Sequence, residues 1–526
     1  MAHLFAGWDV STQSTKLLVI DAETQAIVFN QSINYDDDLP HYQTKNGVIQ
    51  GLGEGVSESD PNMWIEAVNL LFKALAASEV NQHDILAMSV SGQQHGLVSL
   101  DQAGHLSRTR SKLWNDFSTQ EECHILTEKL GGLENMVKEV SNSQRTGYTA
   151  AKIFHMYRHE RDRYDNTATF FLVHNFINYY LTGGTDGGVR VMEPGDTSGT
   201  ALYNIETGQW SDPVINAIDP GLKAKLAPVQ PSTQSIGTIS ARLAEEYGLN
   251  HACRIDAGCG DNMYGAVGTG NVKEGIVTIS LGTSGTAYTF LPQPFVDPTG
   301  EIAAFCDSTG HYLPLLCVSN LANGYNEILK LYDLSHQDFT DLVAQSPVGN
   351  QGRIIVPWYE GERTPDVPDG TPIYFGFALS DLTQKAAICR GVLEGHLLNL
   401  YDGFKRMPVQ ASEIRLTGGI SRSKAWREAI ANMFNAETVA VEGEGAAMGA
   451  ALHALWVYQR EQGEKLTLED VVEPYIVLDE STRIIPNEAD VAVYQTLSRE
   501  FSALSARLRN QPTDANPFRL RRDVGK

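Results

Sequence analysis

Positive charge is scarce in this chain. Only 40 lysines and arginines stand against 64 aspartates and glutamates, a formal net charge of −24 over 526 residues. Phosphate-backbone contacts need dense Lys/Arg surfaces, so nucleic acid and anionic membrane are excluded as main partners. Cysteine is sparse too: Cys123, Cys253, Cys259, Cys306, Cys317 and Cys389 lie scattered, with no CxxC pair. Neither a zinc ribbon nor a disulfide framework is expected, and the six read as small buried hydrophobes in a reducing compartment. There is no run of about 18 apolar residues and no leader pattern, so a cytoplasmic protein is expected. GxxxxGK[ST], HExxH and GxSxG are all missing. Their absence removes the Walker-type nucleotide loop, the helical zinc-protease site and the serine elbow.

What is present is an ordinary globular composition, 42% apolar and 20% charged, in a chain too long for one core. The most informative stretch lies mid-chain. Gly258-Cys259-Gly260-Asp261-Asn262 puts a carboxylate at a glycine-rich corner where a strand hands over to a helix. Asp261 or Asn262 is expected to cap that helix, whose first amides are expected to keep Asp261 ionised and able to accept a proton. The apolar run 276–281 then ends in Gly282-Thr283-Ser284-Gly285-Thr286. That is a tight strand–turn–strand whose amides and hydroxyls suit phosphate oxygens. Each motif alone has a plainer reading, as a helix cap or a hairpin turn. Together, a base beside a phosphate cradle points to phosphoryl transfer onto a hydroxyl.

The start of the chain repeats the theme. Strands are expected over 3–8, 16–20 and 26–35, and the first turn carries Asp9, Ser11, Thr12, Ser14 and Thr15. A helix is expected from Asp60-Pro61, and then a strand over 85–90 that ends in Ser91-Gly92-Gln93-Gln94-His95-Gly96. Loops beyond strand ends are where α/β proteins bind ligands, and glutamine with histidine suits polyol hydroxyls. Trp114-Asn115-Asp116, Arg145, and the glycine-rich loop holding Asp196 add polar candidates.

In the second half, a strand over 413–416 delivers Thr417-Gly418-Gly419-Ile420-Ser421-Arg422-Ser423 into a helix over 424–434. A flat base can lie against backbone there. Gly443-Glu444-Gly445-Ala446-Ala447-Met448-Gly449 has one residue too many for a dinucleotide fingerprint and reads as a close-packing helix start. A helix over 488–508 is followed by a tail with Arg519, Arg521 and Arg522, expected to be a solvated terminus.

These motifs, in this order, resemble the FGGY family of carbohydrate kinases over about residues 4–455. The segment 7–16 is similar to the family's first phosphate motif, 282–286 to its second and 417–423 to its adenosine motif. Gly260-Asp261-Asn262 resembles the segment carrying its catalytic base. The resemblance implies an α/β fold of two ribonuclease-H-like (actin/hexokinase-type) domains, 1–269 for sugar and 270–526 for ATP, with a cleft between them. It implies Asp261 as base and His95, Gln94, Arg145, Asp261 and Asn262 on the sugar. Thr12, Gly282, Thr283, Asn320, Gly418, Gly419 and Ser423 would hold the nucleotide, and Asp9 would hold Mg²⁺. Asn323 lies close enough to compete for the place of Asn320.

The segment 91–96 resembles that of family members acting on ketopentoses, which makes D-xylulose the expected substrate and ribulose or another sugar or polyol the alternative. Two features depart from a single subgroup: Phe117-Ser118 stands where many bacterial members have a polar residue and Arg, while Gly361-Glu362-Arg363-Thr364-Pro365 is of bacterial type. The implied partners are small molecules, and a homodimer is compatible with the reading. An actin-like ATPase module would leave 91–96 without a role. A glycoside hydrolase pairing Asp9 with Asp261 would leave both hydroxyl-rich hairpins unused.

Overall fold

The computed structural model describes residues 3–443 and 445–524, so Glu444 of the glycine-rich segment lies outside the described residues. The chain forms two compact units. Met1–Val272, Leu291–Leu313 and Gly443–Ile476 make the first; Lys273–Phe290, Pro314–Glu442 and Val477–Lys526 make the second.

In the first unit, β1 (Leu4–Val10), β2 (Ser14–Asp21) and β3 (Ala26–Asn34) form an antiparallel meander. The fourth strand, β4 (Ile85–Gly92), lies parallel to β1 on its other side. Beyond it come β5 (Ser235–Thr238), β6 (Arg254–Asp256) and the two-residue β7 (Cys259–Gly260). The order is β5-β6-β4-β1-β2-β3, with β7 pairing in parallel with β4. Near-continuous apolar runs such as Leu17–Ile20 are buried, as expected of strands covered on both faces. Helix Pro61–Ala76, capped by the Asp60 side chain, lays Met63, Trp64, Val68, Leu71 and Leu75 into that core.

The second unit repeats the plan. Strands β8 (Ile276–Leu281), β9 (Gly285–Thr289) and β10 (Leu315–Val318) form the meander. Parallel to β8 runs β11 (Glu413–Thr417), followed by β12 (Glu437–Glu442) and β13 (Val477–Ile484). The order β10-β9-β8-β11-β12-β13 matches that of the first unit strand for strand.

The expected boundary at 269/270 falls close to the break after Val272, but it leaves out two returns of the chain to the first unit, 291–313 and 443–476. The second return has a clear physical cause. Helix Gly445–Glu461 packs backbone to backbone on β1 and on helix Asp261–Gly268, through glycines where no Cβ fits. A Cβ on Gly7 would meet the Ala447 carbonyl oxygen at 1.9 Å, and one on Gly449 would meet that of Tyr264 at 1.8 Å. The close-packing reading of this segment holds.

The tail corrects another expectation. It is solvated only in part: Arg519 and Arg522 are exposed, but Pro517 is buried and the Arg521 guanidinium donates to the Gly376 carbonyl at 2.6 Å.

Candidate active site

Three strand ends bring the carboxylates of the first unit into one neighbourhood. Asp9 on β1 stands opposite Ser91 on β4, and Ser91 stands opposite Cys259 on β7, just before Asp261. The Ser91 hydroxyl donates to Asp9 at 2.9 Å. Both Asp9 and Asp261 are half-buried. Burial pushes the Asp9 carboxyl up to about 6, although the Ser91 hydrogen bond and the Lys16 charge pull the other way.

Asp261 differs from expectation in two respects. The residue capping helix Asp261–Gly268 is Gly260, so Asp261 is the first helical residue and neither it nor Asn262 is the cap. Nor is it held ionised. Burial, followed by the charges of Asp9 and Asp196, raises its carboxyl to about 8, and the neighbouring amides offset only part of this. A helix start counts for tenths to about 1 kcal/mol, which desolvation and two like charges outweigh.

From Asp261 a chain of hydrogen bonds runs to His95. The Asn262 amide donates to Asp261 Oδ1 at 3.0 Å and to Gln94 Oε1 at 2.7 Å. The Gln94 amide donates to Asp196 Oδ1 at 3.3 Å, and Asp196 accepts the His95 backbone N–H at 3.1 Å while facing the ring Nδ1 at 3.1 Å. Burial raises the Asp196 carboxyl, but the hydrogen bond and charge of His95 more than offset it and leave it below its ordinary value.

His95 itself is in the left-handed region, with φ of 65°. It is held on every side. Its carbonyl accepts from Lys152 Nζ at 2.7 Å and from Thr149 Oγ1 at 3.3 Å. Tyr148 and Phe305 flank its ring, with centroids 4.8 and 5.7 Å away.

The structure therefore joins Gln94, His95, Asp261 and Asn262 in one network. The Arg145 Nε donates to Ser143 Oγ at 3.1 Å. Thr12 is bonded to Gln93 and accepts from the Trp114 indole at 2.9 Å, on the wall of a cavity of about 440 Å³ that the loop 45–57 helps to line. Sequence reasoning missed the linking roles of Asp196 and Lys152. Asp196 stood out only as a polar residue in a glycine-rich loop, and Lys152 gave no local signal at all.

In the second unit, Gly282, Thr283 and Ser284 form the turn from β8 to β9, and the carbonyls of Gly282 and Thr283 accept from Ala322 and Leu321. Gly418 ends β11 with φ of 89°, and a Cβ there would lie 2.5 Å from the Leu281 carbonyl oxygen, so only glycine fits. A Cβ on Gly419 would meet nothing within 4 Å, which leaves open space above the backbone. Ser423 caps helix Lys424–Phe434 by position only, its buried hydroxyl having no hydrogen-bond partner. The buried Asn320 is committed to the Gly361 carbonyl at 2.8 Å and to Glu362 at 3.1 Å, and it accepts from Asn323 at 2.6 Å.

Residues 4–268 match the N-terminal domain, and residues 277–458 the C-terminal domain, of the FGGY family of carbohydrate kinases. The chain belongs to that family. As an FGGY kinase it is an enzyme that phosphorylates a carbohydrate. It is 34% identical to a xylulose kinase of Haemophilus influenzae, covering 94% of this chain and 97% of that one. A xylulose kinase of Mus musculus is 27% identical over 95% of this chain and 94% of its own.

Among solved structures, a xylulose kinase from Bifidobacterium adolescentis superposes with a TM-score of 0.78 at 26% identity, covering 94% of this chain and 99% of that one. The Plasmodium falciparum glycerol kinase solved with ADP shares the fold at a TM-score of 0.79 and 17% identity, over 98% of this chain and 99% of that one. Among the described residues of this FGGY kinase, no helix is long and apolar enough to cross a membrane.

Proposed function

We propose that this FGGY kinase transfers the γ-phosphoryl group of ATP to a ketopentose, D-xylulose before others, giving D-xylulose 5-phosphate and ADP. The observation that carries this reading is the hydrogen-bonded chain from Asp261 through Asn262, Gln94 and Asp196 to His95. It sets a row of oriented donors and acceptors beside a carboxyl whose pKa is about 8, close to the pH at which a general base works best. The relatives named xylulose kinase support the choice of sugar.

The first unit, expected as 1–269, takes the sugar on Gln94, His95, Arg145, Asp261 and Asn262. The second takes the nucleotide, with Gly418, Gly419, Ser423 and Asn320 assigned to adenosine and ribose, and Asn323 as the rival to Asn320. The turns at Thr12 and at Gly282-Thr283 are assigned to the phosphates.

In the transfer, Asp261 accepts the proton of the sugar's primary hydroxyl as that oxygen bonds to the γ-phosphorus. The bond from the γ-phosphorus to the bridging oxygen breaks, and ADP leaves with that electron pair. Most of the rate comes from positioning and from neutralising charge, which suits a site of amides and hydroxyls on an acidic protein.

A divalent cation fits the chemistry of Asp9, a half-buried carboxylate that burial raises to about 6 against the Ser91 hydrogen bond and the Lys16 charge. Asp9 would hold Mg²⁺, which when bound would draw off phosphate charge. Six unbridged cysteines suit a reducing cytoplasm.

The test is a coupled ADP-release assay over ketopentoses, ketohexoses, polyols and glycerol. A site built to bond a hydroxyl rejects analogues lacking it, so D-xylulose should give the highest kcat/KM. A clear preference for D-ribulose or glycerol would overturn the sugar and leave the kinase.

A further inference from the structure

Away from the sugar network, the first unit carries a second cluster that the phosphoryl transfer does not use. His155 and His159 lie four residues apart on helix Thr149–His159, and so on one face of it. Glu122, on helix Gln120–Lys129, projects between them. Its Oε1 is 3.5 Å from His155 Nδ1 and 3.1 Å from His159 Nε2, and all three ligand atoms lie within 4.8 Å of one another. Bonds of about 2.0–2.1 Å to a tetrahedral zinc ion put neighbouring ligand atoms about 3.4 Å apart, which the two measured edges straddle.

We propose that Glu122, His155 and His159 bind a zinc-like divalent transition ion that ties helix Gln120–Lys129 to helix Thr149–His159. Three further observations bear on it. The donor set of two imidazoles and one carboxylate suits zinc, cobalt or nickel and disfavours magnesium and calcium, which take oxygen. His155 Nδ1 is buried and has no satisfied hydrogen bond, a cost that a bound cation removes. The His159 side chain is 45% exposed, which leaves the open side needed for ion entry and a water ligand.

The competing arrangement is an ion-pair cluster with no metal. Arg158 already donates to Glu122 Oε1 at 2.6 Å and to Glu121 at 3.0 Å. A cation and this guanidinium contend for one oxygen, while Glu121, 67% exposed, can hold Arg158 alone. That rivalry gives the test its direction.

The full-length protein, stripped with chelator, is titrated with Zn²⁺ by calorimetry and with Co²⁺ by visible absorption. One equivalent should bind, with the intense visible band of tetrahedral cobalt. His159→Ala and His155→Ala should each weaken binding at least tenfold, and Arg158→Ala should tighten it severalfold. His159 is exposed enough for its variant to fold, and circular dichroism checks this for all three. Absence of a bound equivalent, equal affinity in the His159→Ala protein, or an Arg158→Ala protein that binds no more tightly would each overturn the site.

Discussion

Lys152 Nζ donates to the carbonyl oxygen of His95 at 2.7 Å from a side chain with no exposed surface. Burial pulls this ammonium down to about 7, against the charges of Asp116 and Asp196, which raise it. A lysine kept at that cost serves as a positioning residue, fixing the left-handed His95 at the head of the proposed sugar network. Lys152→Met removes the buried ammonium that faces the charges of Asp116 and Asp196, and it leaves the carbonyl only the weaker bond from Thr149. The expected protein has a Tm below wild type and a KM for sugar raised about tenfold, roughly 1.4 kcal/mol, with kcat less affected. An unchanged KM would remove Lys152 from the site.

Asp261→Asn should separate catalysis from stability. Losing a general base costs about 10²–10⁴ in sugar phosphorylation. For stability the sign is opposite. The folded carboxyl titrates at about 8 against an ordinary 3.8, so the folded state holds the extra proton between these values. Its contribution is fully present below about 3.8 and is lost as pH rises through 8. Asparagine never ionises, so the Tm of the variant should exceed that of wild type by a margin that widens from pH 6 to pH 9. In the active enzyme, kcat/KM should climb along a limb centred near 8. A Tm difference independent of pH would show that burial does not control this group.

Asp9→Asn should fail differently. The amide keeps the Ser91 hydrogen bond but loses the charge, so activity should fall at ordinary Mg²⁺ and recover in part at high Mg²⁺ or Mn²⁺. The check is the metal concentration giving half-maximal rate, which should rise by tenfold or more. A lower kcat with an unchanged metal midpoint would assign Asp9 another role.

The readable parts of this chain were those fixed by local pattern. The β8–β9 hairpin, helix Lys424–Phe434 and helix Glu488–Leu508 follow from apolar periodicity and their flanking turns, and they appear where the pattern put them. Gln94, His95, Asp261 and Asn262 were legible as polar residues at strand ends, and the structure joins them.

What failed was whatever depends on residues distant in sequence. The ionisation of Asp261 is set by burial, Asp9 and Asp196, none of which the local helix start reveals. Asp196 reaches His95 across 101 positions, and Lys152 reaches it across 57. The return of 443–476 to the first unit is equally non-local, because nothing in that helix says where its partner glycines lie.

That helix supplies the last prediction. In an exposed helix interior, Gly→Ala gains up to about 1 kcal/mol from propensity. At Gly449 the added Cβ would stand 1.8 Å from the Tyr264 carbonyl oxygen and 3.0 Å from the Gly268 amide nitrogen. These are backbone atoms and cannot rotate away, and overpacking of this kind costs about 1–3 kcal/mol or more, so the steric cost exceeds the propensity gain. Gly449→Ala should therefore lower Tm. It should also lower sugar phosphorylation, because the helix it displaces begins with Asp261 and continues through Tyr264, which bonds Ser89 at 2.6 Å. Thermal unfolding and kcat/KM measured on the same preparation test both halves. A Gly449→Ala protein more stable than wild type would mean that the two helices are not in backbone contact, and the link from the 443–476 return to Asp261 would fall with it.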